Sequence, residues 1–290
     1  AASATGWNEG DANIPTQSAA ALGDSNSGMH LTIAILAALL QREHTDKGSY
    51  VYQSMQDAVI NLCRIKLRDQ LMLDNLGALP FYAVYPNYKW GKAIPRSENS
   101  EGGQVIGWTY KAKGWEMDPN AYVYIVIQNK NKSWETIANK MGHPEWATDE
   151  RFKDWEHRQL HKQEIYPLIE SYTKNYDKYE LTKKLGEAGI PVGPVLDWHE
   201  LENDPDLNKD GTLVKINQGG NRGEFKTVGM PFTMSNYKPT YKRAPDLGEN
   251  NKEILSSLGY DPEQIEELVA KGVISKVGKP HNPRTKVIKN

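Results

Sequence analysis

The stretch that most restricts this chain lies between Gly28 and Arg42, where Leu31, Ile33, Ile35, Leu36, Leu39 and Leu40 occupy nearly every face of one helical period. A helix with a single apolar stripe can lie on a surface, but one apolar nearly all round is expected to be buried on most faces. The fold must therefore place other layers around it. It is not a membrane span: the longest unbroken apolar run, Ile33 to Leu40, falls far short of the ~20 residues a bilayer requires. Just upstream, Gly23-Asp24-Ser25-Asn26-Ser27-Gly28 offers Ser25 or Ser27 as a cap for the helix, which is predicted to end at about Arg42.

The remaining patterns alternate between helix and strand. Residues 1–23 read as loop, with one short buried strand near Ala19–Leu22. A strand is expected over Ser49–Ser54 and a helix over about Met55–Leu76, so a helix pair flanks a strand, as in an α/β domain. Residues 80–107, with Pro80, Pro86, Pro95 and scattered glycines, form a long irregular stretch that suits a domain crossing or a functional loop. Strands follow at Tyr110–Trp115 and Ala121–Gln128, then helices at Ser133–Met141, Arg158–Asn175 and Tyr179–Ala188. Gly189-Ile190-Pro191-Val192-Gly193-Pro194-Val195 is too rich in proline for a central strand and is expected at an edge. Thr212–Asn217 and Phe225–Val228 read as a hairpin, Asn251–Leu258 and Pro262–Lys271 as short helices, and the basic tail 275–290 as a frayed, solvated end.

Charge and cysteine usage exclude several function classes. The 290 residues carry 35 Lys and Arg against 37 Asp and Glu, a formal charge of −2, so the cationic excess needed to neutralise nucleic-acid phosphates is missing. A lone cysteine, Cys63, allows no intrachain disulfide and fits a reducing, cytoplasmic setting. The chain opens Ala1-Ala2-Ser3-Ala4, which is neither a secretory leader nor a natural start, and a further N-terminal part is expected before it.

Asp24 is the foremost candidate for chemistry. A carboxylate at a helix N-terminus lies near free backbone N–H groups and the positive end of the helix dipole, which favour negative charge. An ionised carboxylate can act as a nucleophile without a base, although helix capping alone would also account for an aspartate here. Glu101-Gly102-Gly103-Gln104 can serve either as a mobile flap, whose N–H groups and Gln104 amide reach a carboxylate, or as a plain linker. His157 and His161 stand four apart, close enough to share a metal, but lack a further ligand at suitable spacing and read as solvated helix histidines. Gly219-Gly220-Asn221-Arg222-Gly223 has no strand-to-helix context for phosphate binding and fits a hairpin turn. Cys63 reads as a buried structural thiol.

Several segments together resemble the class III CoA-transferases. They are Ala21-Leu22-Gly23-Asp24-Ser25-Asn26-Ser27-Gly28-Met29-His30, Met55-Gln56-Asp57-Ala58-Val59, Arg64-Ile65-Lys66-Leu67-Arg68-Asp69-Gln70, Lys113-Gly114-Trp115-Glu116, Gly189-Ile190-Pro191 with Gly193-Pro194-Val195, and Arg243-Ala244-Pro245 with Leu247-Gly248-Glu249. The likeness is strongest to the branch that moves CoA from formyl-CoA to oxalate. It implies the C-terminal part of such an enzyme, an α/β fold with a Rossmann-like large domain and an inserted small α+β domain, in an interlocked homodimer. The implied division is 1–80 as the remainder of the large domain with the nucleophile, 81–175 as the small domain with the glycine loop, 176–274 as the return to the large domain, and 275–290 as a tail.

By the same resemblance Asp24 is the nucleophile, forming an acyl anhydride and then an aspartyl-CoA thioester, while Gly102, Gly103 and Gln104 bind substrate above it. CoA enters as a substrate thioester, no metal is required, and the partners are an acyl-CoA and a small carboxylate rather than nucleic acid or membrane. Most CoA contacts fall in the expected N-terminal part, so the resemblance assigns no cofactor-binding residue here and implies weak CoA binding by the 290 residues alone. The sequence departs from the family's run of four glycines, having two after Glu101 and an extra residue in Val105-Ile106-Gly107-Trp108. That departure leaves another carboxylate acceptor open as an alternative, and the expected N-terminal part leaves open a catalytically incomplete chain that serves assembly.

Overall fold

The computed structural model describes residues 20–76 and 106–275, apart from 129, 210 and 220–222. Two compact units are present, the first running to Val195 and the second from Leu196. The first begins with helix α1 (Leu22–Thr45), followed by α2 (Met55–Leu62) and α3 (Arg64–Leu76). Helix α1 starts at Leu22, in place of the short strand expected near there, and its N-cap is Ala21, which has no side-chain oxygen to accept a bond. Neither Ser25 nor Ser27 caps it; both lie inside the helix. At its other end Asp46 adopts a left-handed conformation, and its N–H closes the last turn on Arg42 O at 2.8 Å.

The expectation that α1 is buried on most faces is overturned among the described residues. Met29, Ile33, Leu36 and Leu40 are each about 60% exposed, and Asn26 is the helix's one buried residue. The physical reason is that, among the described residues, α1 packs chiefly against α2, which leaves its other faces uncovered. Residues 47–54 pair with no strand among the described residues; with no ladder to supply hydrogen bonds, Tyr50 and Tyr52 project into solvent. Ser54 instead caps α2, its hydroxyl accepting from the Asp57 N–H at 3.1 Å. The single helix expected over 55–76 is broken at Cys63, where the Arg64 side chain donates to the Asn61 carbonyl at 3.1 Å and ends the first piece. Cys63 itself is half-buried rather than buried.

A three-stranded antiparallel sheet organises the rest of this unit, in the order β1 (Ile106–Lys111), β2 (Tyr122–Ile127), β3 (Val192–Pro194). Alternation fixes its register. Val123, Ile125 and Ile127 face the core while Tyr122, Tyr124 and Val126 face outward, and a slip of one residue would exchange the two sets. β3 lies at an edge, as Pro191 and Pro194 require, since neither can donate to a second neighbour. Against the inner face pack α4 (Asn131–Lys140) and a 3-10 turn at Pro144–Ala147, then, after the short α5 (Trp155–Leu160), α6 (Lys162–Thr173) and α7 (Lys178–Gly186). Trp134, Phe152, Ile165, Ile169, Leu181 and Leu185 fill the core, each such side chain contributing about 1.5–3 kcal/mol on burial. The Trp134 indole N–H donates to Trp146 O at 2.9 Å, and its ring meets Phe152 edge to face at 5.6 Å.

The helix expected over Arg158–Asn175 is two helices. Asp154 starts the first early by accepting from the His157 N–H at 2.9 Å, and His161 interrupts the run. The second unit holds two short helices that periodicity could not reveal, α8 (Trp198–Asn203) and α9 (Pro205–Lys209). A capping box starts α8: Glu200 N–H donates to Asp197 at 2.7 Å and Asp197 N–H to Glu200 at 2.9 Å. The expected hairpin is present as β4 (Leu213–Asn217) and β5 (Glu224–Val228), with Gly219 and Gly223 at positive φ where the chain turns. Helices α10 (Asn251–Ser257) and α11 (Pro262–Ala270) follow, the latter opened by a second capping box between Asp261 and Gln264.

Candidate active site

Asp24 occupies the third position of α1, within the first turn rather than directly before the helix. The first intrahelical bond runs from Ser25 N–H to Ala21 O at 2.9 Å, so the N–H groups of Gly23 and Asp24 precede the ladder and point out of its end. The Asp24 side chain is exposed. A negative group here meets the positive end of the longest helix among the described residues. The site is open to an approaching electrophile.

The first two family-like segments, distant in sequence, meet at this turn. The Asn26 side-chain amide donates to Ala58 O at 2.6 Å, joining α1 to α2. Met55 lies over Gly23, its Sδ 2.8 Å from where a Cβ on that glycine would stand. His30 Nδ1 contacts Asn26 O at 2.9 Å. Asn26, Met55 and Ala58 thus surround the candidate nucleophile's turn. All three lie in family-like segments, but Asn26 is one of several polar residues in this turn and its letters alone give no sign of the contact it makes.

Gly102, Gly103 and Gln104 lie outside the described residues; the sheet resumes at Ile106 with edge strand β1. In the segment Arg64–Gln70, Asp69 is fully buried and accepts from Arg68 Nη2 at 2.6 Å. Lys66 lies partly buried beside Asp69, and burial lowers its pKa to about 8, with Lys162 of α6 adding to the effect. Lys113–Glu116 forms a turn after β1, where Lys111 Nζ sits 4.1 Å over the Trp115 ring and 3.2 Å from Glu170. In the second unit Arg243 grips Glu249 with two bonds of 2.8 and 2.7 Å, which makes the charged residues of that segment partners of each other.

His157 and His161 do not converge. His157 Nδ1 lies 2.7 Å from Asp154 and His161 Nδ1 2.6 Å from Glu164, each with its own carboxylate. The His161 contact, and then Arg151, hold the Glu164 carboxyl below its ordinary range. Among the described residues no three His, Cys, Asp or Glu side chains gather as a metal would require. An open groove of about 830 Å3 lies in the second unit between α8 and the hairpin, lined by Trp198, Lys215, Phe225 and Lys226, and none of the sequence-predicted site residues lines it.

A carboxylate exposed on the first turn of a long helix, in a chain of mixed helices and antiparallel strands, is consistent with covalent acyl chemistry. Residues 1–251 match the sequence profile of CoA-transferase family III, and the chain belongs to that family. Its relatives include the formyl-CoA:oxalate CoA-transferases of Shigella sonnei (strain Ss046) and Escherichia coli O139:H28 (strain E24377A / ETEC). Each is 49% identical over 265 residues, covering 91% of this chain and 62% of the relative. The chain therefore spans 62% of the length of these relatives. Among solved structures, a CAIB/BAIF family protein from Brucella suis superposes with a TM-score of 0.61 at 22% identity, over 89% of this chain and 60% of that one. Rv3272 from Mycobacterium tuberculosis gives 0.60 at 19% identity, over 82% and 57%. These two likenesses show a shared fold, and with the family match the chain has the α/β fold of the CoA-transferases.

Proposed function

We propose that this chain takes part in CoA transfer from formyl-CoA to oxalate, with Asp24 as the covalent nucleophile. The observation that carries the reading is the exposed Asp24 carboxylate on the first turn of α1, inside the segment most like the family. One Asp24 oxygen attacks the formyl carbonyl; the carbon–oxygen bond of an anhydride forms, the carbon–sulfur bond breaks, and CoA leaves as a thiolate. The thiolate attacks the aspartyl carbonyl of the anhydride, releasing formate and leaving an aspartyl-CoA thioester. Oxalate attacks that thioester and frees the thiolate again, which then takes the oxalyl group from the second anhydride and restores Asp24. Two exchanges between weak nucleophiles thereby replace one difficult displacement.

Gly102, Gly103 and Gln104 are assigned to substrate binding, the role the family resemblance gives them, in which a glycine loop limits hydrolysis of the anhydride. The division into large-domain residues 1–80 and 176–274, small-domain residues 81–175 and tail 275–290 belongs to the same reading, as do a homodimer and a cytoplasmic setting. The apolar side chains standing outward on α1 support assembly, because exposed patches of this kind mark contact with further polypeptide. Incubating the chain with a panel of carboxylates and formyl-CoA at concentrations high enough to offset weak binding tests the reading: oxalyl-CoA forms slowly with oxalate, and Asp24→Ala abolishes it. Transfer that survives Asp24→Ala contradicts the assignment, and preference for another acceptor redirects the substrate.

A further inference from the structure

The described part of α1 is exposed along most of its length, yet one polar side chain in it, Asn26, is almost fully enclosed. Its amide reaches across to Ala58 O at 2.6 Å, a buried helical carbonyl with a second lone pair to offer beyond its own helix's ladder. Two residues along an α-helix correspond to about 200° of rotation. A side chain at 26 fixed toward α2 therefore turns the side chain at 24 the other way, and Asp24 is indeed exposed while Asn26 is enclosed. Met55 closes over the Gly23 backbone from the same neighbouring helix. This turn is thus held from one side, with the carboxylate on the other.

We infer that Asn26 is a positioning residue: its bond to Ala58 O fixes the rotation and placement of the first turn of α1, and with it the direction in which Asp24 presents its carboxylate. The inference rests on Asp24 being the acceptor of an acyl group. Without the bond, the turn keeps the flexible Met55 side chain against it but loses its buried polar anchor, and a misplaced nucleophile loses rate through orientation rather than through substrate binding.

The test uses the whole chain with Asn26→Ala and the isosteric Asn26→Asp, whose ionised carboxyl cannot donate to Ala58 O. Hydrogen exchange read by mass spectrometry is expected to be about tenfold faster in peptides covering residues 22–30 of both variants, with residues 122–138 unchanged. In single-turnover experiments with formyl-CoA, the limiting rate of acylation at Asp24 is expected to fall at least tenfold. The formyl-CoA concentration giving half that rate should stay within twofold, which a general loss of structure would not produce. Unchanged exchange at residues 22–30, or faster exchange with wild-type acylation rates, overturns the inference. Faster exchange in the variants together with no acylation of the wild type upholds the clamp and overturns instead the reading that this chain accepts an acyl group.

Discussion

Tyr110 shows what a single polar atom costs in this core. Its side chain is fully buried on β1, its ring meets Tyr166 edge-on at 6.3 Å, and its hydroxyl has no hydrogen-bond partner among the described residues. Burial, reinforced by Tyr166, pushes the phenol well above its usual pKa, so the group is neutral at ordinary pH. Tyr110→Phe keeps the ring and removes the unsatisfied oxygen. It is expected to stabilise the chain by about 1 kcal/mol, read as a higher urea midpoint with an unchanged slope; a lower midpoint would show that the hydroxyl is satisfied after all. Asp24 stands at the other extreme: its carboxylate faces solvent, where it costs the fold little and remains available for chemistry.

At the scale of elements, two features tie the helices and strands to their partners. Lys66 on α3 has its pKa lowered to about 8 from the usual 10.5, mainly by burial. Between those values the unfolded chain binds the extra proton, so stability rises with pH across that window; below it both states are charged and the penalty is constant. Lys66→Met is therefore expected to raise the melting temperature at pH 7, by an amount that shrinks as pH approaches 10.5. A gain independent of pH would point to packing alone. On β1, a Cβ at Gly107 would fall inside contact distance of the Tyr124 hydroxyl on the neighbouring strand. Gly107→Ala should destabilise the sheet by about 1–3 kcal/mol, and a neutral result in a urea titration would show that Tyr124 swings away freely.

Element existence was legible where periodicity or caps were strong. The alternation over Tyr122–Ile127 located β2, and the prolines around Val192 placed β3 at an edge. Breaks at Cys63 and His161 escaped notice because they depend on local bonds, such as Arg64 to the Asn61 carbonyl, rather than on any change of pattern. The Asp197 capping box is written in the letters, an aspartate followed three residues later by Glu200. Exposure of α1 could not be read from its own residues, since burial depends on what lies against a helix as well as on its composition.

At the scale of the whole molecule, the chain belongs to CoA-transferase family III, while it covers 62% of the length of relatives such as the Escherichia coli transferase. Asp24 stands out in the letters through the family-like segment around it, since helix capping alone would also account for an aspartate there. Its support by Asn26 and Met55 was not, because a contact across 32 residues leaves no trace in local spacing. The most direct measurement is peptide mass spectrometry of the chain after brief exposure to formyl-CoA, with and without hydroxylamine. The account predicts an acyl or CoA adduct on the peptide containing Asp24, removed by hydroxylamine and absent from Asp24→Ala. An adduct on a different carboxylate, or an identical adduct in Asp24→Ala, would contradict it.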